Sequence, residues 1–273
     1  MSADAAAAPD PRELEALATR IARSAGDAAL AGRRRGLGEV ETKTSPTDLV
    51  TEHDKASEAL IVAALRAERP SDRIVAEEGT ELPGRSGITW HIDPIDGTAN
   101  FFFDLPTWAV SIGAVDENGP LAGAVYSPPL GEMFSAARGA GARLDGRPIA
   151  PRPNDDLSDA LVATGFSYSA ADRLRQSRRI PEMIDRIRDL RRFGAAALDI
   201  CFVACGRLDA YFEENLHSWD VLAAELIARE AGARSGDFSG GPLRPAEVLV
   251  SGPGVFDALS NVLVAASRKH PHA

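Results

Sequence analysis

Helical and extended patterns alternate along the whole of this 273-residue chain, and that alternation constrains its fold more than any other feature. Asp10-Pro11-Arg12-Glu13 predicts the first helix, because Asp caps helix starts and Pro is favoured at the first helical position. That helix should end near Arg33-Arg34-Arg35-Gly36, since cations and glycine suit a helix C-terminus. A loop is predicted over Lys43–Asp48, and a second helix is predicted to follow Asp54.

From Arg73 onward, short apolar and β-branched runs bounded by turn-forming residues predict strands. The first group of strands is Arg73–Ala76, Thr89–Ile92, Val110–Val115 and Leu121–Tyr126, with a hairpin turn predicted at Asp116-Glu117-Asn118-Gly119. Further strands are predicted to begin at Leu161 and to cover Leu208–Phe212 and Glu247–Val250. Further helices are predicted over about Asp172–Arg188, which is rich in Arg, and over Ala195–Cys205, Trp219–Glu230 and Phe256–Ala266.

Interspersed helices and strands favour a layered α/β arrangement. The length allows about two domains or one large layered domain. Asn154–Ser158 is the only candidate boundary, and it separates an N-terminal α+β part, residues 1–153, from a C-terminal α/β part, residues 154–273. We expect the two parts to form one compact unit.

Charge and cysteine content exclude several classes of function. The chain carries 40 acidic and 30 basic side chains, a formal charge of −10, which argues against binding to nucleic acid or to an anionic membrane. Two cysteines cannot build a disulfide framework, so we expect a reducing cytoplasm. We find neither a membrane span nor a signal peptide, and we expect the N-terminus and the His270–Ala273 tail to be frayed.

The most informative motif joins a predicted strand to two acidic residues. After Trp90-His91-Ile92 come Asp93-Pro94-Ile95-Asp96, and Pro94 should keep Asp93 extended. Asp96-Gly97-Thr98 then indicates a helix start whose free amide groups could hold a phosphate. Neighbouring carboxylates suggest a cation between them, and a ligand set of oxygen atoms alone suits Mg²⁺ rather than Zn²⁺.

Three further acidic positions have a similar setting. Glu77-Glu78-Gly79 follows a predicted strand, Asp220 stands at the head of a predicted helix as a cap or a ligand, and Asp54 lies near the start of another helix. Each alone is more often a turn or capping residue. The four positions together indicate a divalent-metal site.

These motifs resemble the inositol monophosphatase family of Mg²⁺-dependent, lithium-sensitive phosphatases, and the resemblance runs from about Leu14 to Ala266. The motifs that carry it are Lys43–Thr51 leading to Asp54, Glu77-Glu78-Gly79, Asp93–Phe101, and Leu216–Asp220 followed by Ala223, Ala224 and Glu230-Ala231-Gly232. The resemblance implies an αβαβα sandwich of the inositol monophosphatase and fructose-1,6-bisphosphatase type, usually assembled as a homodimer.

The resemblance also implies a metal centre with two or three Mg²⁺ ions. Glu77, Asp93 and the Ile95 carbonyl would hold the first ion. Asp93, Asp96 and Asp220 would hold the second, with Asp93 bridging the two. Glu77 would anchor a third, more hydrated ion.

The remaining roles concern water and substrate. By resemblance, Asp54 and Thr98 would orient and deprotonate the attacking water, with Glu77 also counted as catalytic. The substrate-binding residues implied are Gly97, Thr98, Ala196, Glu213 and Asp220. Lys43 would have a supporting role near the mouth of the site.

Several substrates remain open at this stage. Gly194-Ala195-Ala196-Ala197 with Glu213 resembles the inositol monophosphatase branch of the family, and this resemblance implies inositol 1-phosphate among phosphorylated polyols and sugars. Fructose 1,6-bisphosphate and histidinol phosphate are the alternatives within the family, although Ala195 cannot pair with a cationic substrate. The Arg-rich helix could bind a second phosphate or form a solvated face. A regulatory binding protein that keeps the fold is the non-enzymatic alternative.

Overall fold

The computed structural model describes residues 9–43 and 48–269. The predicted frayed ends, and most of the predicted Lys43–Asp48 loop, lie outside the described residues. Within these ranges, no helix is both long enough and apolar enough to cross a bilayer.

Seven α-helices are found in the described ranges. They are α1 Pro11–Arg35, α2 Glu52–Glu68, α3 Thr98–Phe102, α4 Ala170–Ser177, α5 Ala196–Ala204, α6 Ser218–Glu230 and α7 Pro253–Lys269. Single 3₁₀ turns cover Leu157–Asp159 and Ile180–Glu182.

The strands form one large sheet, one smaller sheet and a two-stranded ribbon. The ribbon consists of β1 Val40–Thr42 and β2 Leu49–Thr51. The strands of the large sheet are β3 Arg73–Ala76, β4 Glu81–Leu82, β5 Thr89–Asp96, β6 Ala109–Asp116, β7 Gly119–Ser127, β8 Glu132–Ala137, β9 Ala142–Leu144 and β10 Arg147–Pro148. Those of the smaller sheet are β11 Leu161–Thr164, β12 Asp189–Arg191, β13 Ala210–Glu214, β14 Arg234–Gly236 and β15 Glu247–Ser251.

Both sheets are mixed. The large sheet has the order β10-β9-β8-β7-β6-β5-β3-β4 and is antiparallel except between β3 and β5. The smaller sheet has the order β12-β11-β13-β15-β14, with β11 parallel to both of its neighbours. The parallel pairing of β3 with β5 sets the carboxyl ends of these two strands, and therefore their acidic residues, side by side.

The order of the layers is set by the apolar faces of the helices and sheets that pack against one another. Helices α1 and α2 pack on one face of the large sheet, α5 and α6 fill the space between the two sheets, and α7 covers the far face of the smaller sheet. Two glycines let α6 lie close to the large sheet, because a Cβ on Gly123 would come within 2.9 Å of the Ala223 Cα and one on Gly113 within 3.1 Å of the Ala223 amide nitrogen. The predicted αβαβα order is confirmed.

Two predicted helices differ in extent from the structure. The predicted helix Asp172–Arg188 ends at Ser177, because Pro181 cannot donate a main-chain hydrogen bond and only one 3₁₀ turn follows. Helix α2 begins before Asp54 rather than after it. Thr51 is its N-cap and Asp54 occupies the third helical position, where its carboxylate accepts from the Thr51 amide.

The predicted strand Thr89–Ile92 continues to Asp96, with an irregular register between Asp93 and Asp96. Strand β8 was not predicted from the sequence. The predicted boundary at Asn154–Ser158 falls in the connection between β10 and β11, and the division into two parts stays a prediction.

Candidate active site

One cavity of about 420 Å³ collects almost all of the predicted site residues. Its lining includes Lys43, Glu77, Asp93, Ile95, Asp96, Gly97, Thr98, Ala196, Glu213 and Asp220. Asp54 does not line the cavity, but its Oδ1 lies 3.2 Å from Thr98 Oγ1 and accepts a hydrogen bond from it. The sequence therefore predicted which residues meet, although they come from both halves of the chain.

The irregularity in β5 shapes the centre of the site. Asp93 folds back so that its Oδ1 accepts a hydrogen bond from the Ile95 amide at 3.0 Å. The Asp93 side chain is buried, and burial together with the charges of Glu77, Asp96 and Asp220 raises its pKa well above the usual range. A carboxyl group in this state gains strongly from a nearby cation.

Asp96 lies against the start of α5. Its Oδ1 accepts from the Ala196 amide at 2.9 Å, and its Oδ2 accepts from the amides of Ala197 at 2.9 Å and Leu198 at 3.3 Å. Free amide groups and the helix dipole at an N-terminus favour a carboxylate. Burial and the charge of Asp220 raise the pKa of Asp96 well above its usual range, although the three hydrogen bonds from α5 act to lower it.

Gly97 makes the turn between β5 and α3. Its φ of +93° lies in the left-handed region, and a Cβ there would approach Ala195 Cβ and the Thr107 oxygen at 3.1 Å. Only glycine meets both requirements without strain. Gly97 and Thr98, at the entrance of α3, both line the cavity.

Thr98 and Asp54 form a buried hydrogen-bonded pair. Thr98 Oγ1 lies 3.2 Å from Asp54 Oδ1 and 3.1 Å from the Ile95 carbonyl oxygen, and its one proton can be donated to only one of them at a time. Asp54 Oδ2 accepts from the Thr51 amide and hydroxyl at 2.7 and 2.6 Å. Burial raises the pKa of Asp54, which makes this carboxylate a better proton acceptor.

Glu77 lies in the turn after β3 and pairs with Lys43. Lys43 Nζ donates to Glu77 Oε1 at 2.9 Å and to Glu78 Oε1 at 2.6 Å. Burial raises the pKa of Glu77 and raises that of Glu78 to about 7, while Lys43 acts in the opposite direction. Burial would lower the pKa of Lys43, but the charges of Glu77 and Glu78 raise it overall.

Asp220 lies in the first turn of α6 and serves as a cap, which leaves its predicted role as a ligand open. Its Oδ2 accepts from the His217 amide at 2.7 Å. A hydrogen bond to Asp220 raises the pKa of His217, whose ring stacks on Trp219 with centroids 4.8 Å apart.

Glu213 closes the other side of the cavity. Burial raises its pKa to about 7, and the Tyr211 hydroxyl donates to its Oε2. At neutral pH this carboxyl group can therefore accept or donate a hydrogen bond. A Cβ on Gly165 would overlap the Glu213 carboxylate, so the glycine makes room for it.

Sequence reasoning missed two buried acids beside the site. Asp199 on α5 is 1% exposed, burial and the charge of Asp96 raise its pKa well above the usual range, and its Oδ1 has no hydrogen-bond partner. Glu58 on α2 is 4% exposed and contacts the turn that carries Glu77. The sequence offered a signal for each of them. Asp199 is a lone acid in the apolar run of α5, and Glu58 follows Asp54 by one helical turn.

The predicted ligands in the cavity suit Mg²⁺, since all of their donor atoms are carboxylate or carbonyl oxygens. Burial and mutual repulsion raise the pKa values of Glu77, Asp93 and Asp96, and a divalent cation would relieve both effects. In the part of the chain that the structure describes, no three His, Cys, Asp or Glu side chains are already arranged to hold an ion. Glu77 is instead held by Lys43.

In this layered α/β fold, acidic residues from separate segments line one cavity, an arrangement that suits a phosphatase that uses metal ions. The inositol monophosphatase family matches residues 10–272, and the chain belongs to that family. The family resemblance expected from the motifs is confirmed, and the chain is a phosphoric monoester hydrolase.

Individual relatives match most of the chain. Inositol-1-monophosphatase SuhB of Mycobacterium tuberculosis H37Rv is 41% identical over 273 residues, covering 92% of this chain and 93% of the relative. Nus factor SuhB of Escherichia coli K12 is 38% identical over 227 residues, covering 82% and 85%. The solved structure of the IMPase of Thermotoga maritima has a TM-score of 0.85 at 31% identity, covering 94% and 98%.

Proposed function

We propose that this phosphatase is Mg²⁺-dependent and acts on myo-inositol 1-phosphate. The observation that carries the proposal is that Glu77, Asp93, Asp96 and Asp220 line one cavity beside the Gly97–Thr98 turn. A phosphate monoester resists hydrolysis strongly, so its hydrolysis requires neutralisation of the dianion and an activated water. This arrangement supports both requirements.

The proposed cation ligands are Glu77, Asp93, Asp96, Asp220 and the Ile95 carbonyl. Bound Mg²⁺, in two or three ions, would neutralise charge on the phosphate and on the leaving oxygen. Asp54 and Thr98 would orient the attacking water and take its proton, since Thr98 Oγ1 and Asp54 Oδ1 are already hydrogen-bonded. The Gly97 and Thr98 amides would bind the phosphate oxygens.

The alcohol would lie between Glu213 and the start of α5. Ala196 leaves room for a polyol ring, and Glu213 can meet its hydroxyl groups. Arg192 also lines the cavity and could meet a second phosphate, which is the feature that favours a bisphosphate as the alternative substrate.

The test is phosphate release with Mg²⁺ from a panel of four esters. The panel contains myo-inositol 1-phosphate, fructose 1,6-bisphosphate, histidinol phosphate and 3′-phosphoadenosine 5′-phosphate. We expect the highest kcat/KM with the inositol ester and suppression by Li⁺. Preference for another ester would keep the reaction class and refute the proposed substrate.

Relatives that carry the name Nus factor SuhB favour a second candidate function, that of a regulatory partner protein. We propose that any such role would use a surface outside the cavity. We also propose that the protein is a homodimer and is located in the cytoplasm, in line with the free thiols of Cys201 and Cys205. Light scattering would test the dimer. Activity absent from every ester, together with retained binding to a protein partner, would favour the regulatory function.

A further inference from the structure

Glu58 is a buried acid that the proposed reaction does not use. It lies on α2, one helical turn beyond Asp54, and is 4% exposed. Among the residues that the structure describes, no Lys or Arg forms an ion pair with it. Its oxygens accept instead from the amides of Glu78 at 2.7 Å and Thr80 at 3.2 Å. Burying a carboxylate without a cation is costly, so these two hydrogen bonds matter to the fold.

The two main-chain amides that donate hydrogen bonds to Glu58 are those that have no main-chain acceptor among the described residues. Residues 76–80 form the turn that carries Glu77, and three of its amides donate to main-chain oxygens. These are Ala76 to Thr80 at 2.9 Å, Glu77 to Ile92 at 3.1 Å and Gly79 to Ala76 at 3.4 Å. Glu58 accepts the two that remain, so every amide of the turn is paired.

The same face of α2 also contacts the second acidic segment. Ser57 Oγ donates to the Pro94 carbonyl oxygen at 3.1 Å, and Asp54 accepts from Thr98. One helix face therefore holds the segment around Asp93 and Asp96 and, through Glu58, the turn that carries Glu77. A rigid element that supports several ligands can keep them in register.

We propose that Glu58 is a positioning residue that holds the 76–80 turn so that Glu77 can bind a divalent cation. The proposal rests on the proposed function, because it requires that Glu77 is a cation ligand. Glu58 acts through main-chain amides and touches neither cation nor substrate.

The test compares Glu58→Gln with Glu230→Gln by isothermal titration with Mg²⁺. Glu230 is a matched control, because it also accepts two loop amides, from Gly139 at 2.8 Å and Gly141 at 2.9 Å, but does not line the cavity. In each variant, the new amide group can accept only one of the two hydrogen bonds. We expect Glu58→Gln to raise the dissociation constant for Mg²⁺ by about 10- to 100-fold, as residues behind metal ligands typically do.

Two further readouts separate positioning from general stability. Both variants should lower the melting temperature, while only Glu58→Gln should shift the Mg²⁺ concentration that gives half-maximal turnover. Turnover at saturating Mg²⁺ should fall much less than Mg²⁺ affinity, since the ligands are intact. If Glu58→Gln does not fold, Glu58→Asp keeps the charge and should bind Mg²⁺ more weakly than the unmodified protein.

An unchanged Mg²⁺ dissociation constant in a folded Glu58 variant would overturn the positioning role. An equal loss of affinity in Glu230→Gln would overturn it as well, because the effect would then follow stability. If the unmodified protein binds no Mg²⁺, the proposed function itself fails, which is a distinguishable result.

Discussion

At the scale of single residues, the site depends on side chains that have two roles. Asp54 both caps α2 and accepts from Thr98, and Asp220 caps α6 while lining the cavity. Asp96 faces the cavity and also accepts three amides of α5. Changes at such residues affect chemistry and stability together, so their variants need controls for both.

Asp96→Asn should reduce turnover by at least about 100-fold, because it removes a proposed cation ligand. The variant should remain folded but less stable, since an amide nitrogen cannot accept the hydrogen bonds that α5 donates. Phosphate release and thermal melting measure the two effects. Asp185→Asn, at an exposed position, is the control. Near-normal turnover in Asp96→Asn would contradict the ligand assignment.

Gly97→Ala should lower both stability and turnover. A left-handed backbone costs about 1–2 kcal/mol for a residue with a Cβ, and the new methyl group would also crowd Ala195 and the Thr107 oxygen. Gly119→Ala is the matched control, because its φ of +100° is similar and no atom lies within 4 Å of its added Cβ. Urea unfolding should show the larger loss for Gly97→Ala, and equal losses would show that crowding is unimportant.

At the scale of elements, a buried ion-pair cluster holds part of the Arg-rich segment. Glu214 at the end of β13 is buried between Arg175, at 2.8 Å, and Arg179. Burial alone would raise the pKa of Glu214, but the two arginines together lower it below its usual value. Part of the Arg-rich segment, for which a solvated face was one of the two expectations, is therefore held from inside. Next to Arg175, Gln176 Oε1 accepts from the Ser167 amide beside the cavity.

Glu214→Gln should destabilise the protein by about 3–5 kcal/mol, because it leaves a buried arginine charge without its partner. The free energy of unfolding in urea measures this loss. Glu81→Gln removes an exposed partner of Arg73 and should cost about 1 kcal/mol or less. Similar losses in the two variants would mean that the buried cluster contributes no more than a surface ion pair.

At the scale of the whole molecule, the acidic cavity couples stability to pH and to Mg²⁺. Burial raises the pKa values of Glu78 and Glu213 to about 7, so the folded protein holds protons that the unfolded chain releases at lower pH. That contribution to stability is present at low pH and is lost as pH rises through about 7. Burial lowers the pKa of His91 from its usual value of about 6.5 to about 4. His91 therefore makes stability rise with pH, but only between about pH 4 and pH 6.5.

Without metal, the melting temperature should therefore fall as pH rises from about 6.5 to 8, above the range in which His91 acts. With saturating Mg²⁺ the fall should be smaller, because cation binding stabilises the deprotonated carboxylates. Melting curves in chelator and in Mg²⁺ at several pH values test this. A melting temperature that rises with pH in chelator would show that the raised pKa values do not control stability.

The local sequence determined most of the elements and, together with the family resemblance, named ten of the residues that line the cavity. Capping residues, turn signals and strand runs act over a few neighbouring positions, so α1, the β6–β7 hairpin and the Gly97 turn were predicted from the residues themselves. The setting of Glu77, Asp93, Asp96 and Asp220 already indicated a divalent-metal site, and the family resemblance added their individual roles. The shared cavity agrees with that grouping, while their individual roles stay predictions.

Only the tertiary structure decided what depends on contacts between distant segments. Arg175 and Arg179 are paired with Glu214, which belongs to another strand. The burial of Asp199 and the pairing of Glu58 with the 76–80 turn likewise depend on how layers pack. The physical reason is that burial and pairing of charge are set by neighbours in space, which local patterns in a sequence do not record.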